Sequence, residues 1–119
     1  MQTDRKVRHA LAWSLLATAV SLGALVDRSS LATAATRSQI AIANYAFSPA
    51  TITVAPGTTV VWVNRDGDAH TVTSSAGPQS FHSPGLEKGD TFSFTFRKAG
   101  SYQYFCSVHP FMHGTIIVR

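Results

Sequence analysis

The chain has 119 residues, with ten lysines and arginines against six acidic residues and a formal net charge of +4 at pH 7. A chain of this length is limited to one small domain. Its basic residues form no run with interleaved aromatics, which argues against a nucleic-acid-binding surface.

Residues 1–35 have the layout of a signal peptide. A basic start leads into an apolar run over residues 10–26, and small residues follow it. Cleavage after Ala34 or Ala35 fits the spacing of small residues before a signal-peptidase site. The alternative is an uncleaved membrane anchor, because the run lies at the lower edge of the roughly 17–25 residues that span a bilayer. We favour cleavage, which predicts an exported, periplasmic protein that meets the membrane only if this segment is retained.

The exported domain, residues 36–119, would carry six basic and four acidic side chains, a net charge of +2. A domain of about 84 residues usually needs disulfides or a metal to reinforce its small core. This one has a single cysteine, Cys106, and therefore no internal disulfide. Because an unpaired thiol is a liability in an oxidising compartment, Cys106 points to a bound metal.

From residue 36 onward, hydrophobic residues recur with a period of two, which is typical of half-buried strands. The alternating positions are Ile40 and Ile42; Ile52 and Val54; Val60, Trp62 and Asn64; Phe92, Phe94 and Phe96; Tyr102 and Tyr104; Ile116 and Val118. Glycine- and proline-rich turns separate them at short spacing. The pattern predicts an all-β Greek-key sandwich of about seven strands in two antiparallel sheets, with Trp62, Phe92, Phe94 and Phe96 in the core.

Three candidate metal ligands lie within one short segment near the end of the sequence. They are Cys106, His109 and Met112. A thiolate, an imidazole and a thioether suit copper and do not suit calcium or magnesium. His70 follows a turn at a strand end and is the best candidate for a fourth ligand. Two histidines, one cysteine and a distant axial methionine define the blue-copper site.

Further motifs accompany these residues, and we consider them together. They are Phe47-x-Pro49, Ile52-x-Val54, Gly57, Val60-x-Trp62-x-Asn64, Tyr102-x-Tyr104-x-Cys106 and His109-Pro110-x-Met112-x-Gly114. With His70, they resemble the cupredoxins, and within them the amicyanin and plastocyanin-like branch, over nearly all of residues 38–119.

The resemblance implies one type 1 copper ion held by His70, Cys106 and His109, with Met112 as the weak axial ligand. It implies a protein that carries single electrons by cycling between Cu(II) and Cu(I), and that is not an enzyme. In one departure, Val108 stands where amicyanin-type loops commonly have proline. We expect its free N–H to donate to the Cys106 sulfur and lower the reduction potential.

Transient redox partners are expected to dock on an apolar surface around His109, formed by Pro110 and Phe111, and the protein is expected to be a monomer. The alternative function is that of a periplasmic copper chaperone or copper-resistance protein. Such sites tend to be methionine-rich or exposed, whereas the exported domain has one methionine. His82 and His113 lack partners at ligand spacing and are assigned to the surface.

Overall fold

The computed structural model describes residues 36–119, which form eight strands and no helix. The strands are β1 Arg37–Ala43, β2 Ala46–Ser48, β3 Thr51–Val54, β4 Thr58–Asn64, β5 Thr73–Ala76, β6 Thr91–Phe96, β7 Gly100–Phe105 and β8 His113–Val118. None of these residues belongs to a helix capable of spanning a bilayer. The predicted signal segment, residues 1–35, lies outside the described part of the chain.

The strands form two four-stranded sheets, in the orders β2-β1-β4-β6 and β3-β8-β7-β5. The predicted β-sandwich is confirmed, with eight strands where about seven were expected. The expectation of purely antiparallel sheets is wrong, because β1 runs parallel to β4 and β3 runs parallel to β8. After the β1–β2 hairpin the chain crosses to the second sheet for β3 and then returns, so β4 enters the first sheet in the direction of β1.

The core lies between the two sheets and follows the predicted alternation. In β4, Val60, Trp62 and Asn64 are completely buried while the residues between them are half-buried. Trp62 packs against the rings of Phe81 and Tyr104 from the other side of the core.

The aromatic residues of β6 are less buried than expected. Phe96 is completely buried, but Phe92 and Phe94 are only partly buried and pack against the margin of the core. Their assignment to packing is confirmed, with Phe92 and Phe94 at the margin of the core. The reason is that β6 is an edge strand, so that its side chains have covering neighbours on one side only.

The loop between β7 and β8 lies at one end of the sandwich and contains residues 106–112. Gly114, the second residue of β8, is required by this arrangement because the Tyr104 ring fills the space that a Cβ would occupy. The loop that follows β4 reaches the same end, where His70 pairs through its backbone with Leu86. The two segments with candidate ligands therefore meet.

Candidate metal centre

Three strong donor atoms converge at the end of the sandwich. His70 Nδ1 lies 3.7 Å from Cys106 Sγ, and His109 Nδ1 lies 3.9 Å from the same sulfur. The two Nδ1 atoms are 3.2 Å apart. His70 and Cys106 are completely buried, and His109 is half-buried. The structure thus brings together residues that are 36 positions apart in the sequence.

The β7–β8 loop folds back on itself and brings Met112 to the same place. The Cys106 N–H donates to the Met112 carbonyl at 3.1 Å, and the Met112 N–H donates to the His109 carbonyl at 2.9 Å. The Met112 side chain is buried, with 3% of its surface exposed. The four residues are close enough to form a type 1 copper site.

The Cys106 thiol lies in surroundings that favour the thiolate. Burial raises its pKa, but N–H groups of Thr71 and His109 and the rings of His70 and His109 outweigh that effect and lower the pKa to about 6. The two N–H groups lie 3.3 and 3.4 Å from the sulfur. A thiolate is the form of cysteine that binds metals.

The hydrogen bond to the Cys106 sulfur that was expected from Val108 is made by other residues. The N–H groups that reach the Cys106 sulfur are those of Thr71 and His109, and the Val108 side chain is 54% exposed. A side-chain acceptor at the start of a turn commonly accepts the N–H two or three residues later. In this loop the acceptor is the Cys106 sulfur, and the N–H three residues later belongs to His109.

Asp66 fixes the orientation of His70. Its Oδ2 lies 2.9 Å from His70 Nε2, so that the ring presents Nε2–H to the carboxylate and leaves Nδ1 free for a metal. The same carboxylate accepts the N–H groups of Asn44 at 2.7 Å and Tyr45 at 2.9 Å. Burial raises the pKa of Asp66, but these three donors outweigh it and hold the pKa below its ordinary value.

Asn64 holds the loop that contains Asp66 and His70. Its Nδ2 donates to the carbonyls of Asp68 and Leu86, at 2.9 and 2.7 Å, and its Oδ1 accepts the Asp66 N–H at 2.9 Å. This side chain is completely buried, and all these bonds go to backbone groups. The sequence singled out Asn64 as part of a motif, and this network is the physical reason for it.

Hydroxyl groups join the two loops that contain ligands. Thr71 Oγ1 accepts the Ser107 N–H at 2.8 Å and lies 2.8 Å from Ser107 Oγ. It also lies 3.1 Å from Thr73 Oγ1. Each of these residues neighbours a candidate ligand or begins β5, so the bonds fix the separation of His70 and Cys106.

Two residues of the site were missed in the sequence. Asp66 lies four positions before His70, a spacing that offered a weak signal, but the sequence did not single it out. Tyr45 was not considered, yet its ring packs edge-on against both His70 and His109. Nothing local in the sequence indicates that contact.

His82 and His113 lie outside the convergent cluster. Within residues 36–119, the cysteine, histidine and acidic side chains placed to hold a metal together are those of His70, Cys106 and His109. His82 and His113 are exposed.

The donor set fits copper. One sulfur and two imidazole nitrogens form a soft, mostly buried set beside a buried thioether, and Asp66 is occupied with hydrogen bonds. Soft sulfur and imidazole ligands in this combination select copper over hard cations. The chemistry of these side chains therefore fits a type 1 copper ion.

Comparison with known proteins agrees with the fold and the site. The family model described as the cupredoxin-like domain matches residues 9–118. This chain belongs to the cupredoxin family. Among curated relatives, the cupredoxin is 32% identical to an amicyanin of Paracoccus denitrificans, over all of both chains.

Among solved structures, this cupredoxin is similar to a purple cupredoxin from Nitrosopumilus maritimus. The TM-score is 0.64, with 34% identity over 69% of this chain and 99% of that one. It is also similar to part of a copper-containing nitrite reductase from Thermus scotoductus SA-01, with a TM-score of 0.68 and 31% identity over 73% of this chain. The match covers only 23% of the reductase.

Proposed function

We propose that this cupredoxin carries single electrons through one type 1 copper ion. His70 Nδ1, Cys106 Sγ and His109 Nδ1 are the proposed strong ligands, and Met112 is the proposed weak axial ligand. The observation that supports this most is the convergence of the three donor atoms within 3.2–3.9 Å of one another. Bound copper would supply one-electron redox chemistry.

The residues around the donors suit electron transfer because they keep the ligands in place. Asp66 fixes the His70 ring, and the Thr71–Ser107 hydroxyl pair ties one ligand loop to the other. A site whose ligands move little when the charge of the metal changes exchanges electrons quickly. Because all four proposed ligands are protein side chains, no coordination position is left for a substrate. We therefore propose that the protein is an electron carrier and not an enzyme.

The surface around His109 is the proposed place where redox partners dock. Within the described chain, the exposed large hydrophobic residues are Tyr45, Val108 and Phe111, with Phe111 69% exposed. Val108 adjoins His109 in the sequence, and the Tyr45 and Phe111 rings lie 5.1 and 6.1 Å from its ring. We refer to these three residues with Pro110 as the His109 patch. An apolar patch of this kind suits brief contacts between proteins.

The proposed place of action is the periplasm, as a monomer. The support for the periplasm is the signal-peptide layout of residues 1–35. The partners would then be exported or membrane-bound redox proteins whose docking surfaces face the same compartment.

The visible spectrum of the copper-loaded protein tests the proposal. We expect an intense red-absorbing band from the thiolate–copper bond, which bleaches on uptake of one electron per protein and returns on reoxidation. Cys106→Ser should abolish the band, because an alcohol oxygen cannot replace the thiolate. His82→Ala is the matched control and should keep it, because His82 lies outside the cluster.

A colourless protein, or a band that survives in Cys106→Ser, would contradict the proposed ligands. A blue protein that gives its copper to a chelator within minutes would instead favour the alternative of a copper chaperone or resistance protein.

A further inference from the structure

The β1–β2 hairpin has an unusual residue in its turn. Its two loop residues, Asn44 and Tyr45, both have positive φ angles, 54° and 56°. Hairpin turns of this form favour asparagine followed by glycine, since glycine adopts a left-handed conformation without strain. Asn44 fits the preference. Tyr45 is a bulky side chain where glycine is expected, and strained residues of this kind often mark functional positions.

Tyr45 is held at both ends by the loop that contains His70. Its N–H donates to Asp66, the same carboxylate that orients His70. Its hydroxyl donates to the Asp68 carboxylate. The conformation of the side chain is therefore fixed by the residues that lead into the metal centre.

The Tyr45 ring contacts both candidate histidine ligands. Its centroid lies 5.4 Å from that of His70 at an interplanar angle of 84°, and 5.1 Å from that of His109 at 80°. These are edge-to-face contacts of the kind that stabilise aromatic pairs. Among the described aromatic residues outside the ligand set, Tyr45 is the one that packs against both rings. Its outer side is exposed, with 42% of its surface accessible.

We propose that Tyr45 is a positioning residue that retains copper in the site. Its ring holds the two imidazoles together and covers their solvent side, so that a competing ligand must displace it before a histidine can leave the metal. The inference rests on the proposed copper site. It concerns how slowly the metal leaves, a property that electron transfer by itself does not require. It also accounts for a tyrosine at a turn position that favours glycine.

The test compares Tyr45→Gly with its neighbour Asn44→Gly in the full copper-loaded protein. Both changes relieve a positive φ in the same turn and keep the backbone N–H that Asp66 accepts, but only the first removes the ring. Two measurements are made: the rate at which excess EDTA bleaches the thiolate–copper band, and the thermal unfolding temperature of the metal-free protein.

We expect Tyr45→Gly to lose copper about tenfold faster than the parent, as the loss of two aromatic contacts implies. Its metal-free form should unfold within a few degrees of the parent, because relief of the positive φ offsets the loss of the ring contacts and of the hydroxyl bond to Asp68. Asn44→Gly should lose copper at the parent rate. Tyr45→Phe keeps the ring and should remain within about twofold of the parent.

A merely structural role for Tyr45 would lower the unfolding temperature and speed copper loss together, and that result would overturn the inference. So would equal rates of copper loss in the parent and both glycine variants, or a phenylalanine variant as fast as the glycine variant. If the parent shows no thiolate–copper band, the proposed copper site itself fails. If the parent is blue and the rates do not differ, only the role of Tyr45 fails.

Discussion

The Asp66 carboxylate accepts three hydrogen bonds, two from the β1–β2 turn and one from His70. It therefore connects the β1–β2 hairpin, which supplies no proposed ligand, to the proposed ligand His70. Groups that bond to the outer nitrogen of a metal-binding histidine fix its ring orientation and strengthen it as a ligand.

Asp66→Asn should weaken copper binding by about 10- to 100-fold, the usual effect of losing a carboxylate behind a histidine ligand. The asparagine removes the charge and one of the two acceptor oxygens while keeping the size of the side chain. Competition for copper with a chelator of known affinity measures the change.

Asp90→Asn is the control for Asp66→Asn. Asp90 also accepts a backbone N–H, from Glu87 at 3.0 Å, in an exposed turn, whereas the carboxylate bonded to His70 is that of Asp66. Equal losses of affinity in the two variants would show that Asp66 has no special connection with His70.

At the scale of single residues, the sequence predicts which candidate ligands lie together better than it predicts the residues that support them. Cys106, His109 and Met112 occur together in one segment, so their spacing alone identifies a candidate loop. Tyr45 meets Asp66 across 21 positions, through a contact that exists only once β1 and β4 have paired. A pattern along the chain does not contain that information.

Among the elements, the turn between β6 and β7 is closed by a tyrosine. The Tyr102 hydroxyl donates to the Lys98 carbonyl at 2.6 Å, and the Tyr102 side chain is part of the core. Burial raises the pKa of this phenol above its ordinary value. The hydrogen bond joins the start of β7 to the end of the preceding turn.

Tyr102→Phe should lower the free energy of unfolding by about 1 kcal/mol at neutral pH, the typical net contribution of one hydrogen bond. The parent should have a further dependence on pH. Since the folded phenol keeps its proton above about pH 10, where the unfolded chain releases it, stability is full below that pH and falls as the pH rises further. The variant lacks this component, so its stability should fall less steeply. Urea unfolding from about pH 8 to pH 11 measures both effects, and identical slopes for the two proteins would contradict the pKa shift.

Strand periodicity predicted which residues face the core in β4 because burial on one face is recorded in alternate residues. It did not predict that β1 and β4 run parallel, since the partner of a strand depends on how the chain crosses between sheets. Nor did it distinguish β6 as an edge strand, which is why Phe92 and Phe94 are more exposed than expected.

For the whole molecule, we expect the proposed docking surface, the His109 patch at one end of the sandwich, to govern electron exchange between two copies. With a net charge of only +2 on residues 36–119, long-range repulsion between copies is weak.

Phe111→Lys should slow electron self-exchange about tenfold or more, because two facing patches would each carry a new positive charge at the point of closest approach. Ala99→Lys adds the same charge in the exposed turn between β6 and β7, at the opposite end of β7 from the metal centre. Nuclear magnetic resonance line broadening in mixtures of oxidised and reduced protein measures the rate. If both lysine variants are slowed equally, net charge and not the patch governs the exchange.

The order of the strands has a consequence for biosynthesis. A ribosome reaches Cys106 only after seven of the eight described strands have been made, and β3 has no neighbour in its sheet until β8 arrives between β3 and β7. A shorter nascent chain contains His70 and none of the other three proposed ligands. We therefore expect the complete set of proposed ligands to be available only when synthesis is nearly finished.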